Sequence, residues 1–515
     1  MPTEADRAAM PPGITLPPTE KLLVAGGDGR IVPDPESGLN RYHCRPYPDP
    51  ALLAFGSSTA SVISEAAFDA AERLRRSLTG RLSTTEPPEA IYADELDRIR
   101  RELLRQYRLA QGPDVDIIFA ESGTDLHRIM AQLLGPDRKA PLMAVTVAAA
   151  ETGSGVPDAL CGEIAPVALR RANGTLRPAA AIDTEVKHMA EQAVAAGRPV
   201  LLVMADLSKS GLVAPSPGCA ARLKRRHGDA IEILVDACQA RIGPEVLHAY
   251  LEQGFAVALT GSKFMTGPTF SGAMLVPAAL GERLRHRPLP EALRSCSVRA
   301  DWPIRWSGAD SLGDGTNFGL LLRWEAALTE MRAFHDIDGK RVKIILKDLA
   351  GAIRHRLLRS ELLEPLPTPA PDRRPIAGHH GWDAMPTIFP FVPHHPDGRP
   401  LNLEEARRLH RRLLTDLSGE SPFAGEASGI AARRFQLGQP IACGKRRGIP
   451  VGALRLCIGA RNIVTAASEG TEAVIGQAVS SLDKAELLIG KMEDGRPAAP
   501  HQTMGPERER ISPIS

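Results

Sequence analysis

Rings are scarce in this chain. Of its 515 residues 4% are aromatic: Trp 4, Tyr 5 and Phe 12. Net charge is nearly absent as well. Lys+Arg 63 against Asp+Glu 61 leaves +2, which excludes the basic footprint a nucleic-acid surface needs. No apolar run is long. Those at 141–150 and 199–205 are the longest, well short of the roughly 18–20 residues of a membrane helix. Residues 1–21 carry two proline pairs and several charges but no apolar segment, and are read as a mobile arm rather than a secretory leader. The seven cysteines (Cys44, Cys161, Cys219, Cys238, Cys296, Cys443 and Cys457) are odd in number, scattered and free of CxxC spacing. That argues against a disulfide framework or a zinc knuckle and makes a reducing cytoplasm the expected home.

What is there is globular. Hydrophobic residues make up 43% and charged residues 24%, too apolar for wholesale disorder. Length alone suggests about three domains. Along the chain, short apolar runs at 115–119, 142–150, 200–205, 231–235, 257–260 and 273–276 read as strands. Helical periodicity fills several gaps, as at 125–134 and 184–196, after two amphipathic stretches at 64–79 and 94–107. Continuous apolar strands alternating with helices predict an α/β fold, a mostly parallel sheet sandwiched by helices. A long helical stretch is expected at 317–358. Residues 385–480 read as a smaller C-terminal α+β domain, with strands at 387–392 and 453–458 and helices at 403–417 and 471–488. The expected division is an N-terminal arm, partly disordered, at 1–50, a large domain at 51–335, a small domain at 336–490 and a disordered tail at 491–515.

In parallel sheets ligands sit at the carboxyl ends of the strands. The run 231–235 ends in Asp236-Ala237-Cys238-Gln239. The next strand ends in Gly261-Ser262-Lys263, with Lys263 twenty-seven residues after Asp236, about one helix plus one strand. Upstream, Ser122-Gly123-Thr124 marks a strand-to-helix turn. A carboxylate, a lysine and a phosphate-type loop therefore open onto one sheet edge. Pyridoxal phosphate needs that set: a lysine amine for a Schiff base, an Asp to keep the ring nitrogen protonated, and N–H groups at a helix N-terminus for the phosphate.

At these residues the sequence resembles fold type I pyridoxal-phosphate enzymes of the class V aminotransferase and cysteine desulfurase superfamily, over about 50–335 and 385–480. Phe55-Gly56-Ser57-Ser58-Thr59-Ala60 is similar to the family's N-terminal substrate loop. Asp236-Ala237-Cys238-Gln239 resembles its D-x-A-Q segment, and Gly261-Ser262-Lys263 with Gly267-Pro268 its lysine segment. The resemblance implies that Lys263 is catalytic. It implies that Ser122, Gly123, Thr124, Ser208, Asp236, Gln239 and Ser262 bind the cofactor. Arg455, in Ala453-Leu454-Arg455-Leu456, would clamp a substrate carboxylate, with Ser58 also on the substrate. Gly315-Thr316-Asn317 resembles an element in which Thr316 would reach a neighbouring subunit's phosphate, implying a homodimer. The implied partner is a small amino-acid or amine substrate, with no nucleic acid and no membrane.

Departures stand beside these matches. Where the family stacks a ring on its cofactor, this chain has Ala148-Ala149-Ala150-Glu151-Thr152-Gly153, with Thr152 at the expected place and no ring. Ser208 stands in for an Asn. Asp125 follows the phosphate loop and is expected to turn away from it. Cys443, twelve residues before Arg455, is the candidate nucleophile of a desulfurase reading. The pairs His379-His380 and His394-His395 read as surface loops, and no metal is expected. The main functional expectation is an aminotransferase-like reaction. The alternatives are a cysteine desulfurase or other C–S or β-elimination lyase using Cys443, and a non-catalytic cofactor-binding relative with a regulatory role.

Overall fold

The structure, a computed structural model, describes residues 15–135, 140–423 and 428–492. Strand β1 (Leu52–Phe55) belongs to a small sheet. The next eight strands build a large one: β2 (Val115–Ala120), β3 (Met143–Val147), β4 (Glu163–Val167), β5 (Val200–Asp206), β6 (Val213–Ala214), β7 (Ile231–Ala237), β8 (Ala256–Thr260) and β9 (Gly272–Pro277). Their order is β2-β9-β8-β7-β5-β3-β4, with β6 beside the end of β5. The pairs β4–β3, β3–β5, β5–β7 and β7–β8 are parallel, while β9 runs antiparallel to β2 and β8. The α/β expectation with a mostly parallel sheet holds.

Burial explains why these runs read as unbroken hydrophobic stretches. β5, β8 and β9 are buried at every position. Successive side chains leave a strand on opposite faces. On β5, Leu201 and Val203 enter a core shared with Leu126 and Ile129 of the helix Gly123–Leu134. Val200, Leu202 and Met204 enter the other, larger core. Both faces are thus covered, as parallel sheets require.

The small sheet adds β10 (Leu363–Pro365), β11 (Ile388–Pro393), β12 (Arg434–Arg446) and β13 (Ile449–Cys457), in the order β1-β12-β13-β11-β10. β1 runs parallel to β12, so a segment before the large sheet pairs with one long after it. The register of β12 against β13 shifts between Gly438 and Ile441 and again between Ala442 and Lys445. Such bulges bend a strand and re-aim its residues. They also hide it from periodicity, which is why β12 has no counterpart in the sequence expectations.

Three further expectations are corrected. The stretch 317–358 is two helices, Phe318–His335 and Gly339–Leu358. Asp338 ends the continuity by capping the second, its carboxylate accepting from the Lys340 and Arg341 N–H groups. His395 is not a surface residue. It is buried at 1% exposure, within 3.4 Å of the Glu405 carboxylate. Residues 15–50, expected within a partly disordered arm, are packed. Leu16, Leu22 and Leu23 join the larger core. Fully buried Arg323 donates to the Ala25 and Leu23 carbonyls and to the Phe270 carbonyl, tying this segment to the loop before β9. A Cβ on Gly319 would meet the Leu22 carbonyl oxygen at 2.4 Å, so the close approach of helix and segment requires glycine there. Residues 1–14 and the tail beyond Met492 lie outside the described residues.

Candidate active site

The ends of β2, β7 and β8 open into one cavity of about 760 Å³, closed over by the loop after β1, by β12 and β13, and by the segment around Arg30. Ser58, Ser122, Gly123, Thr124, Asp236, Gln239, Ser262, Lys263 and Arg455 all line it, residues spread over nearly 400 positions of sequence.

The helix Gly123–Leu134 begins at this cavity, with Ser122 as its cap. The Ser122 hydroxyl accepts from the Asp125 N–H and donates to the Asp125 carboxylate at 2.6 Å, so Asp125 is engaged at the cap and does not line the cavity. A Cβ on Gly123 would meet the Cys238 sulfur at 2.7 Å, so only glycine lets the helix start this close to the end of β7. Arg30 faces the same turn. Its guanidinium donates to Thr124 Oγ1 at 3.2 Å and Ser122 Oγ at 3.3 Å, stacks 4.7 Å above the Phe270 ring and is paired with Asp28. Thr260 Oγ1 donates to the Cys238 carbonyl and receives the Ser262 hydroxyl. Thr269 Oγ1 lines the cavity, buried and without a hydrogen-bond partner. A helix N-terminus, a guanidinium and several hydroxyls make a site for a phosphate group.

On the floor Asp236 is held by four groups. His127 Nε2 lies 3.5 Å from Oδ2, Thr152 Oγ1 donates to Oδ2 at 3.4 Å, the Cys238 N–H donates to Oδ1, and Lys263 is near enough to act through its charge. Burial pushes this carboxyl up, but the His127 charge and bond, with Lys263 and the Cys238 N–H, outweigh burial and hold it well below the carboxylate range. His127 donates from Nδ1 to the Gly123 carbonyl at 2.6 Å. Burial disfavours its charge, yet Asp236 and the Gly123 carbonyl prevail and raise its pKa. Asp236 is therefore an ionised carboxylate backed by an imidazole whose protonated form it favours, suited to hold a proton on a ring nitrogen in front.

Arg455 is 3% exposed and bonds only neutral acceptors, the Gln439 and Lys209 carbonyls and Thr59 Oγ1. The bulge in β12 is what turns Gln439 toward it. Ser58 accepts from the Cys457 thiol at 3.0 Å. Beside Arg455 lies Lys209, whose amine donates to the Ala149 carbonyl.

Three expected residues are not in this constellation. Ser208 is buried and its hydroxyl donates to Glu151 at 2.8 Å, in a cluster with Ser210 and Arg170. Thr316 lies outside the cavity of its own chain, just before the helix Phe318–His335. Cys443 is 2% exposed in β12, among Leu366, Val392, Ile441, Val451 and Ala453, with its thiol raised chiefly by burial. A thiol packed behind the strand does not reach the cavity, which corrects the reading of Cys443 as a nucleophile. The lining thiol, Cys238, is raised well above its ordinary value, first by burial and then by Asp236. The ring-free stretch Ala149, Ala150, Gly153 and Ser154 does line the cavity.

Sequence reasoning missed Arg30, His127 and Lys209. His127 had a signal, since it stands four positions after Gly123 on the helix face that turns to the sheet. Arg30 had none, because the segment around it has no regular period.

No protein-family profile and no curated protein matches the chain. Solved structures do. A NifS-like protein aligns over 84% of this chain and 99% of its own, with TM-score 0.51 and 11% identity. The cystine C–S lyase C-DES, solved in complex with its reaction product cysteine persulfide, aligns over 83% and 97%, with TM-score 0.51 and 13% identity. The apo cysteine desulfurase from Thermococcus onnurineus NA1 aligns over 84% and 95%, with TM-score 0.52 and 12% identity.

Proposed function

We propose, starting from a chain that has the fold of the NifS-like and cysteine desulfurase structures, that this protein is a pyridoxal-phosphate-dependent enzyme acting on a small amino acid. One observation carries the reading: Lys263, Asp236 and the Ser122-Gly123-Thr124 turn converge on a single cavity. The residues present fit the cofactor. Thr269, in the cavity wall, has a buried hydroxyl with no hydrogen-bond partner, and the helix that starts at Gly123 turns its N-terminus to the cavity.

When bound, the cofactor supplies an electron sink for negative charge developing at the substrate α-carbon. The rest is the work of this chain. Ser122, Thr124, Ser262 and Arg30 hold the phosphate, and Asp236, kept ionised by His127, holds a proton on the ring nitrogen. Gln239 lines the ring's edge. Arg455 binds the α-carboxylate with Ser58 and Thr59 beside it, and Lys263 moves the α-proton.

The favoured reaction is C–S or other β-elimination. The C–S lyase and desulfurase neighbours support it better than the aminotransferase-like reading. It needs no thiol of the protein as sulfur acceptor, which suits a buried Cys443. The homodimer stays part of the proposal. Thr316, outside its own cavity, suits a contact with a neighbouring subunit.

The purified protein should be yellow, and Lys263→Ala should abolish the borohydride-trapped adduct. An amino-acid panel scored for sulfide, pyruvate with ammonia, and keto acid should give sulfide or pyruvate, equally in Cys443→Ser. A colourless protein refutes the cofactor. A keto acid that keeps the substrate's side chain, formed without ammonia, as the sole product refutes elimination.

A further inference from the structure

Away from the phosphate end, the cavity wall is cationic. Lys209, Arg407, Arg411 and Arg455 line it, and Asp236, on the floor, is the one carboxylate among the lining residues. Arg407 and Arg411 stand at i and i+4 on the helix Leu403–Leu413 and share Glu404, a carboxylate outside the cavity, at 3.4 Å each. Arg455 and Lys209 have only neutral acceptors. His410, ring to ring with His43 at 5.3 Å, lies on the same wall. The field is felt by its neighbours. Burial first, then the charges of His43, Arg455 and Arg411, depress His410 to about 4 against the Leu437 carbonyl it bonds.

Like charges gathered around a cavity repel one another, and folding alone gives them no reason to meet there. An occupant that cancels them must be anionic. An α-carboxylate answers Arg455 and Lys209. It does not answer Arg407 and Arg411 on the helix Leu403–Leu413, whose shared Glu404 offsets only one of their two charges. The volume, within the range that holds drug-sized ligands, leaves room for a side chain reaching that far. Resting on the amino-acid site proposed above, we infer that the substrate carries a second anionic group, a carboxylate or another oxoacid, at the far end of its side chain. Arg407 and Arg411 hold it.

The test needs no turnover. The holoprotein is titrated calorimetrically with glutarate and adipate, and with valerate and hexanoate as monocarboxylates of matching length. The dicarboxylates should bind about tenfold tighter or more, an advantage that shrinks with added salt. In the double variant Arg407→Ala, Arg411→Ala the ratio should collapse to about one, with the melting temperature reporting that the protein is folded. Equal affinities in the wild type, or a preference that survives the double variant, overturn the inference. The two readings fail separately. A yellow protein without the preference refutes the anionic side chain alone, and a colourless protein that keeps the preference refutes the cofactor alone.

Discussion

At the scale of single residues, the site turns on who stands behind Asp236. The carboxylate could be read from sequence as the residue ending a strand. Its partner His127 could not be assigned to it, because a hydrogen bond across a buried gap depends on where a helix is placed. His127→Asn removes the ring that can carry a positive charge there while keeping a polar group. Without it, burial raises the carboxyl, and the proton on the cofactor nitrogen is held less firmly. We expect kcat/KM to fall about tenfold or more, and the pH at which the cofactor absorbance changes to move. An unchanged absorbance profile would count against a positioning role. Lys209 offers a pH test. Burial chiefly, then Arg455 and Lys263, with Glu151 opposing, lower its amine to about 8. The amine is cationic below that pH and neutral above it. Affinity of the holoprotein for valerate should therefore decline as pH rises through about 8, and the step should be missing in Lys209→Met.

At the scale of elements, the strands of the large sheet were legible because burial on both faces leaves continuous apolar runs. The small sheet was only half legible. β13 reads from sequence as a strand at 453–458, but β12 mixes Gly438, Gln439 and Pro440 and shifts register twice, so its alternation is lost. How the segment between β10 and β11 is anchored to the large sheet was not legible. Arg373, 2% exposed, makes a two-pronged pair with fully buried Asp206 at the end of β5, at 2.7 Å on each oxygen, and Tyr250 donates to the same carboxylate. Removing one partner leaves a buried charge uncompensated. Arg373→Met should cost about 3–5 kcal/mol in denaturant unfolding. Pairing it with Asp206→Leu should recover part of that loss. A single variant as stable as the wild type would show that the segment is held by other contacts.

At the scale of the whole molecule, the N-terminal segment and the subunit partner compete to explain how a phosphate is retained. The resemblance in sequence pointed to Thr316 acting across a dimer, while the structure puts Arg30 of the same chain on the Ser122–Thr124 turn proposed to hold the phosphate. The two contributions separate on dilution. If Thr316 serves a neighbour, diluting the protein to monomer should weaken cofactor retention. If Arg30 serves its own chain, Arg30→Ala should weaken it about tenfold at any concentration, and Arg30→Lys should restore only part, a point charge replacing a fork. Retention read by absorbance after gel filtration separates the two. No helix among the described residues is long and apolar enough to cross a membrane.

Sequence alone determined the class of the sheet and the strand-end positions of Asp236, Lys263 and the Ser122–Thr124 turn, since each follows from local rules: burial sets hydrophobic runs, and strand ends and helix starts set where polar side chains emerge. Tertiary structure decided which of them meet. It drew Arg30, His127 and Lys209 into the cavity, turned Ser208 to Glu151 and buried Cys443 behind β12. Those outcomes depend on contacts between residues tens to hundreds of positions apart, and the geometry of such contacts is set by packing, which no local pattern records.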